Sequence, residues 1–423
     1  MSDTPPALSA YLAATAALSP LAAPVLRRRL KRGKEDPARW REKLGHASAP
    51  RPDGSLVWMH AVGLGEVMAL RGLIERMTTR RPGLNILVTS TARSSGEVFA
   101  RNRPEGAIHQ FLPLDLPGPA RRFLDHWRPD LAVWAEQDLW PGLVHRTHRR
   151  GIPLALVNAR MDDRAFAARK RARAIYAPLL SHMRLVAAQD DRTAALLAAL
   201  GAASPRVTGS LKAVAPPLAH DAAELARLRT RLGGRTLWLA ASTHAEDEAA
   251  ALAAHARLRD SDPTALLILA PRIPDRAPDI AKAAASHGLT TARRSAKEDP
   301  APGTAVWIAD TFGELGLWYR LCPAALVGGS FGPVQGHNPW EPARLGCAIL
   351  HGSNTANFAA DYAALAAAQA TREVTDAATL AAALQDPTLP DRAAAARILA
   401  EQAGGRADAL AEALLSLIPA RHP

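Results

Sequence analysis

Two stretches of this sequence hold residues able to do chemistry. In WMHAVGLGEV (58–67) a glycine turn sets Glu66 between a strand-like run and a helix start. The positive end of a helix dipole favours an ionised carboxylate there, and the turn exposes it, so Glu66 can accept a proton. A glutamate that merely complements the dipole fits the same position. In GGSFGPVQGHNPWEPARLG (328–346), Asn338, Pro339 and Glu341 have the spacing of a capped helix start. Capping leaves unexplained the glycines at 328, 329, 332 and 336 and the histidine at 337. A loop of bare amides running into a helix start is an anion site, which points to Gly329, Ser330 and His337 around a phosphate.

Similar strand ends recur nearby. AASTHAEDE (240–248) leaves a strand at Ser242-Thr243-His244 and enters an acidic first helical turn. LLILAPRIPDR (266–276) ends a strand in Pro271-Arg272, where a guanidinium can grip a phosphate. ADTFGELGLWY (309–319) passes Asp310 and Thr311 into a helix at Phe312-Gly313-Glu314. Each alone is compatible with an ordinary capped helix, but four such ends in one half of the chain describe a nucleotide site. In the other half, Glu136 ends the run LAVWAE (131–136), and Lys212 closes VTGSLK (207–212) beside a proline-rich stretch. Gly63-Leu64-Gly65 invites a dinucleotide reading, which fails because Met68 replaces the third glycine and the next strand ends in TSTARSS, without an acid for a ribose. Neither His145 and His148, three apart, nor Cys322 and Cys347 has metal-ligand spacing, so no metal is expected.

The elements that must position these residues alternate. Strand-like runs at 56–62, 85–91, 131–136, 153–159 and 184–189 are separated by stretches of helical length, as in a parallel sheet covered by helices. AVAPPLAH (213–220) interrupts the pattern as a linker. It resumes with runs at 235–242, 264–270, 303–309, 324–330 and 347–352. At 423 residues, with 48% hydrophobic and 22% charged residues, the chain is globular and long enough for two domains. The expected fold class is α/β: two doubly wound domains, 35–212 and 221–423, facing a central cleft, with ligands beyond the carboxyl ends of the strands. The alanine-rich tail (376–418) is expected to be helical and able to pack on either half.

The first 34 residues differ. An apolar stretch, LSAYLAATAALSPLAAPVL (8–26), is followed by RRRLKRGK (27–34), and the formal charge of the chain is +12, mostly from arginine. That order suits a segment inserted in a bilayer with its arginines on cytoplasmic phosphates. Pro20 and Pro24 favour monotopic insertion over a span. A cleaved signal peptide would place its basic residues first. The bland alternative is an amphipathic helix packed on its own domain. The basic cluster is short and lacks interleaved aromatics, which argues against nucleic acid.

Taken in order, GKEDPARWREKLG (33–45), WMHAVGLGEV, EQDLWPG (136–142), LVNAR (156–160), VTGSLK, ASTHAEDE, APRIPDR, ADTFGEL, VGGSFGPVQGHNPWEPARLG and GSNTANF (352–358) resemble the lipid A-specific 3-deoxy-D-manno-octulosonic acid (Kdo) transferases of glycosyltransferase family 30. The resemblance runs from about residue 33 to 360. It implies a GT-B fold and inverting transfer of Kdo from CMP-Kdo to a lipid A precursor (lipid IVA), without a bound metal, at the cytoplasmic face of the inner membrane. It implies Glu66 as general base and Glu136 and Lys212 as transition-state stabilisers. CMP would contact Pro271, Arg272, Phe312, Gly313, Glu314, Asn338, Pro339, Trp340 and Glu341. The sequence departs from the family pattern at Gly63, Gly142, Ser210 and Ile273, and lacks an aspartate shortly after Lys212. Two alternatives keep the nucleotide site: another GT-B transferase or epimerase with a different donor, and a non-catalytic membrane-bound nucleotide-binding protein.

Overall fold

A computed structural model describes residues 4–419 apart from 64–66, 68, 102, 105 and 137, and for residues 98, 100 and 101 the backbone alone. The chain divides into two compact units, Met1–Ala215 with Ala403–Pro423, and Pro216–Gln402. The tail thus differs from the expected 221–423 grouping, because 403–423 falls in the first unit. The last helix, Leu389–Ser416, buries Ala403, Ala407, Leu410, Ala411 and Leu414, and its Asp408 pairs with Arg76 and Arg80 of the first unit at 2.9 and 3.1 Å.

The first unit is built on strands β1 (Leu56–His60), β2 (Asn85–Ser90), β3 (Ala107–Phe111), β4 (Leu131–Ala135), β5 (Leu154–Ala159), β6 (Met183–Ala188) and β7 (Arg206–Val207). They form one sheet in the order β3-β2-β1-β4-β5-β6-β7, parallel throughout. The second unit repeats the plan with β8 (Leu237–Thr243), β9 (Leu266–Pro271), β10 (Thr291–Arg293), β11 (Val306–Ile308), β12 (Ala324–Val327), β13 (Ala348–His351) and β14 (Thr371–Glu373). Its order is β10-β11-β9-β8-β12-β13-β14, again parallel.

Burial explains why these strands read as unbroken apolar runs. In the second unit Trp238, Ala240, Leu267 and Leu269 pack into one core, while Leu239, Ala241, Leu266 and Ile268 pack into another. Alternate residues of one strand therefore enter different cores, one on each face of the sheet, as a fully covered parallel sheet requires. The first unit holds an aromatic cluster in which Trp58 meets Phe123 and Trp134 edge-on, centroids 4.8 and 5.4 Å apart.

Strand order sets where a ligand goes. In each sheet the order reverses at the first strand, between β1 and β4 and between β8 and β12, and the carboxyl ends of these strands flank the crevice that open α/β sheets use for binding. The two doubly wound halves expected from the sequence are both present. Four strands without a clear sequence signal, β3, β7, β10 and β14, extend the sheets at their outer positions.

The N-terminal segment is helical over Pro6–Leu18 and Ala22–Lys31, joined by a short tight turn at Ser19–Leu21. Both prolines sit in first turns, where the missing N–H has no helical partner to lose. Pro6–Lys31 is long and apolar enough to cross a membrane by length and composition. Leu8 and Leu26 are nonetheless buried, and the Tyr11 hydroxyl donates to Asp115 at 2.8 Å, so the segment is also packed on its own unit.

Candidate active site

In the first unit, β1 ends just before the glycines at 63 and 65 of the sequence. His60, its last residue, is fully buried and bonded to the Thr89 carbonyl and hydroxyl at 3.1 and 3.0 Å. Burial pushes its imidazole down to about 3, so it is neutral. Glu66, the candidate base, lies outside the described residues. At the end of β4, Glu136 adopts φ +61° while its N–H donates to the Val157 carbonyl at 2.9 Å. A non-glycine residue in the left-handed region carries a cost of about 1 kcal/mol, and such strain collects at functional sites.

Lys212 sits in the tight helix Leu211–Val214. Two contacts hold that turn: the Leu211 N–H donates to Asn158 Oδ1 at 2.9 Å, and the Lys212 N–H to Ser210 Oγ at 3.3 Å. Asn158 is buried, has φ +54°, and accepts Gln189 Nε2 on its carbonyl at 3.0 Å. The LVNAR stretch therefore positions the turn that carries Lys212. Nothing local in the sequence marks that role, because the partner, Leu211, is 53 residues away.

In the second unit, the ends of β8, β9 and β12 and the segment after β11 converge. Ser242, Pro271, Arg272, Thr311, Phe312, Gly313 and Trp318 line a cavity of about 60 Å³. Phe312 is 76% exposed at its edge. Arg272 is exposed and forms no ion pair among the described residues. Glu314 is bonded to Arg294 at 2.7 Å and to the Thr311 hydroxyl. Asn338 Oδ1 accepts the Trp340 N–H at 3.1 Å, and Pro339 is the cap residue of the helix Trp340–Arg344, one residue later than the sequence suggested. Trp340 Nε1 donates to Asp361 at 2.8 Å. Burial raises the Glu341 carboxyl above its ordinary range, against the opposing pull of Asn338 and Arg272.

The glycine loop behaves differently from the expected cradle. Asp247, fully buried in the first turn of the helix Ala245–Ser261, accepts the N–H groups of Gly329, Ser330 and Phe331 at 2.7, 3.2 and 3.1 Å, and that of His244 at 2.9 Å. The amides of 329–331 are thus not bare: a carboxylate of the protein occupies them. Ser330 Oγ is likewise engaged, donating to the Val327 carbonyl at 2.7 Å and accepting the Gly352 N–H at 2.9 Å. Gly328 is required by proximity, since a Cβ there would lie 2.5 Å from the Ser242 carbonyl oxygen. His337 projects over this loop, its Nε2 3.0 Å from that of His244. Asp247 and His244 were visible in the sequence only as an acidic helix start after a strand. Among the described residues no group of three or more His, Cys, Asp or Glu side chains is placed to hold a metal.

The family model for 3-deoxy-D-manno-octulosonic-acid transferase matches residues 38–215. A probable mitochondrial 3-deoxy-D-manno-octulosonic acid transferase of Arabidopsis thaliana is 37% identical over 362 residues, covering 82% of this chain and 80% of that protein. The 3-deoxy-D-manno-octulosonic acid transferase of Haemophilus influenzae is 32% identical over 350 residues, covering 80% and 82%. The chain belongs to the Kdo transferase family. Kdo transferases are glycosyltransferases, and this one has a GT-B-like fold. Its likeness to the UDP-GlcNAc 2-epimerase of Neisseria meningitidis (TM-score 0.54, 13% identity, 85% of this chain and 99% of that one) is one of fold alone.

Two departures from the Kdo transferase pattern have local explanations. Ser210 accepts the Lys212 N–H, the capping task an asparagine also performs. A Cβ at Gly142 would lie 2.4 Å from Asp115 Oδ1 and 2.5 Å from Arg146 Nη1, and the Gly142 N–H donates to Asp115 Oδ2 at 2.7 Å. Glycine at 142 is thus coupled to the carboxylate that also receives Tyr11.

Proposed function

We propose that this Kdo transferase moves Kdo from CMP-Kdo to a lipid A precursor, with inversion at the anomeric carbon, at the cytoplasmic face of the inner membrane. What carries the reading is the family match across more than three quarters of the chain. In the mechanism, Glu66 takes the proton of an acceptor hydroxyl as its oxygen attacks the anomeric carbon, and CMP leaves. Glu136, held in a strained strand end, and Lys212, held by Asn158 and Ser210, stabilise charge as that bond breaks. Arg272 pairs with the departing phosphate. Phe312 offers a face to the base, and Asn338 and Glu341 hold the nucleoside.

Two features of the first unit support a lipid acceptor and a membrane location. An apolar cavity of about 750 Å³ is lined by Leu18, Leu21, Val25, Leu112, Leu114 and Trp140, among others, and its chemistry suits acyl chains. The basic run 27–34 follows directly, where anionic headgroups would meet it.

Losing a general base typically costs about 10²–10⁴-fold in rate. Glu66→Ala is therefore expected to reduce Kdo transfer to a lipid IVA acceptor by at least about 10²-fold, read by mass spectrometry of the product, while CMP still raises the melting temperature. Turnover at the wild-type rate would remove Glu66 from the role.

A further inference from the structure

The facing ring nitrogens of His244 and His337 can share only one hydrogen. The Nε2 atoms are 3.0 Å apart and the ring planes differ by only 16°, so one nitrogen carries the hydrogen and the other the lone pair. In the neutral state the rings therefore share one N–H···N bond. One further proton can add to the other nitrogen of the donor ring, converting that bond to N⁺–H···N. A second cannot add without placing hydrogen on both Nε2 atoms and breaking the bond. The pair is built to hold a charge of zero or one.

The surroundings of His337 disfavour its charged form at rest. Burial lowers His337, with His244 and Arg272 adding to the effect and Asp247 opposing it. Asp247 is already committed to four backbone N–H groups. Glu341 feels the charge of Arg272, the Glu246 carboxylate lies against Gly332, and the Tyr362 hydroxyl donates to the His337 carbonyl at 3.1 Å. Because Asp247 has taken the amides of 329–331, positive charge for a phosphate at this edge must come from side chains. Arg272 supplies one charge, and a phosphate monoester dianion brings two.

We infer that the His244–His337 pair takes up one proton from solvent when a nucleotide phosphate binds beside Arg272. The proton adds to an imidazole nitrogen, and no bond to carbon or phosphorus changes. His244 touches His337, and in this reading it acts through that ring as a positioning residue. It fixes which nitrogen of His337 carries hydrogen and shares the added charge. The inference rests on the donor-site reading above and adds a proton linkage to it.

The test is calorimetric titration of the full-length, detergent-solubilised protein with CMP in buffers of different ionisation heat. At about pH 8 a phosphate monoester, whose second pKa is about 6, is already a dianion. The expected result is uptake of about one proton per CMP, with affinity rising up to about tenfold per pH unit of acidification. Cytidine, lacking the phosphate, should bind without uptake. The double variant His244→Gln with His337→Gln keeps a polar amide at each position but has no imidazole to hold a proton, so it should bind CMP with uptake near zero and a flat pH profile. His337→Gln alone should reduce the uptake, which serves if the double variant does not fold. CMP binding to the wild type without buffer dependence overturns the inference and leaves the donor site standing. Uptake unchanged in that double variant also overturns it, by placing the proton outside the pair. No heat with CMP in the wild type would instead remove the donor-site reading itself, and the inference with it.

Discussion

Glu341 shows how one residue can be tuned at the expense of stability. Its carboxyl is raised because burial penalises the anion more than Asn338 and Arg272 favour it. The folded protein therefore binds a proton there at a pH where the unfolded chain has released it, and stability falls as pH rises through that interval. Above the raised value the charged form is retained against its burial penalty. Glu341→Gln should remove this penalty, leaving the melting temperature at about pH 8 equal to or above that of the wild type while CMP binding weakens. A lower melting temperature with CMP affinity intact would mean that Glu341 is structural only. That Arg272 and Phe312 follow strands, and that Glu341 opens a helix, was legible in the sequence. The strain at Glu136 was not, because a φ of +61° is imposed by the β4–β5 pairing and leaves no trace in residue type.

At the scale of elements, the glycine loop after β12 is held by the helix that follows β8. One carboxylate, Asp247, gathers N–H groups from both, and this fixes the two strand ends at the switch point relative to each other. Asp247→Asn keeps one acceptor oxygen and turns an amide toward donors. A buried network left partly unsatisfied costs about 2–4 kcal/mol. The expected outcome is faster hydrogen exchange at the amides of 329–331, corresponding to that loss of local stability, together with weaker CMP binding. Unchanged protection there would show that the loop is held by its own turn and not by Asp247. The sequence exposed the glycines and suggested free amides. It could not show that a carboxylate 82 residues earlier than Gly329 occupies them.

At the scale of the whole molecule, the +12 charge and the N-terminal segment favour an anionic surface. Within the segment, Leu18, Leu21 and Val25 are 55, 57 and 54% exposed, while Leu8, Leu26 and Tyr11 face the protein. One side is packed and the other presents apolar side chains beside a basic run. The double substitution Leu18→Asp with Leu21→Asp should reduce partitioning onto vesicles containing anionic lipid by about tenfold or more, with CMP affinity unchanged. Retained partitioning would assign the membrane contact to other residues.

By itself the sequence determined the two-sheet α/β plan, the strand ends that carry the polar motifs, and membership of the family, because all three are written in local runs and in the order of short motifs. Short apolar runs alternating with stretches of helical length mark the buried strands of a parallel sheet. Tertiary structure alone decided how those ends are used. The Asp247 clamp, the Asn158 support under Lys212, the His244–His337 contact and the return of 403–423 to the first unit each join residues far apart in the chain. Such contacts depend on which strands become neighbours, and parallel order leaves no local signal of that choice. The edge strand β3, AIHQF, was missed for a related reason. Only part of it is buried, so it lacks the continuous apolar run that marks its neighbours.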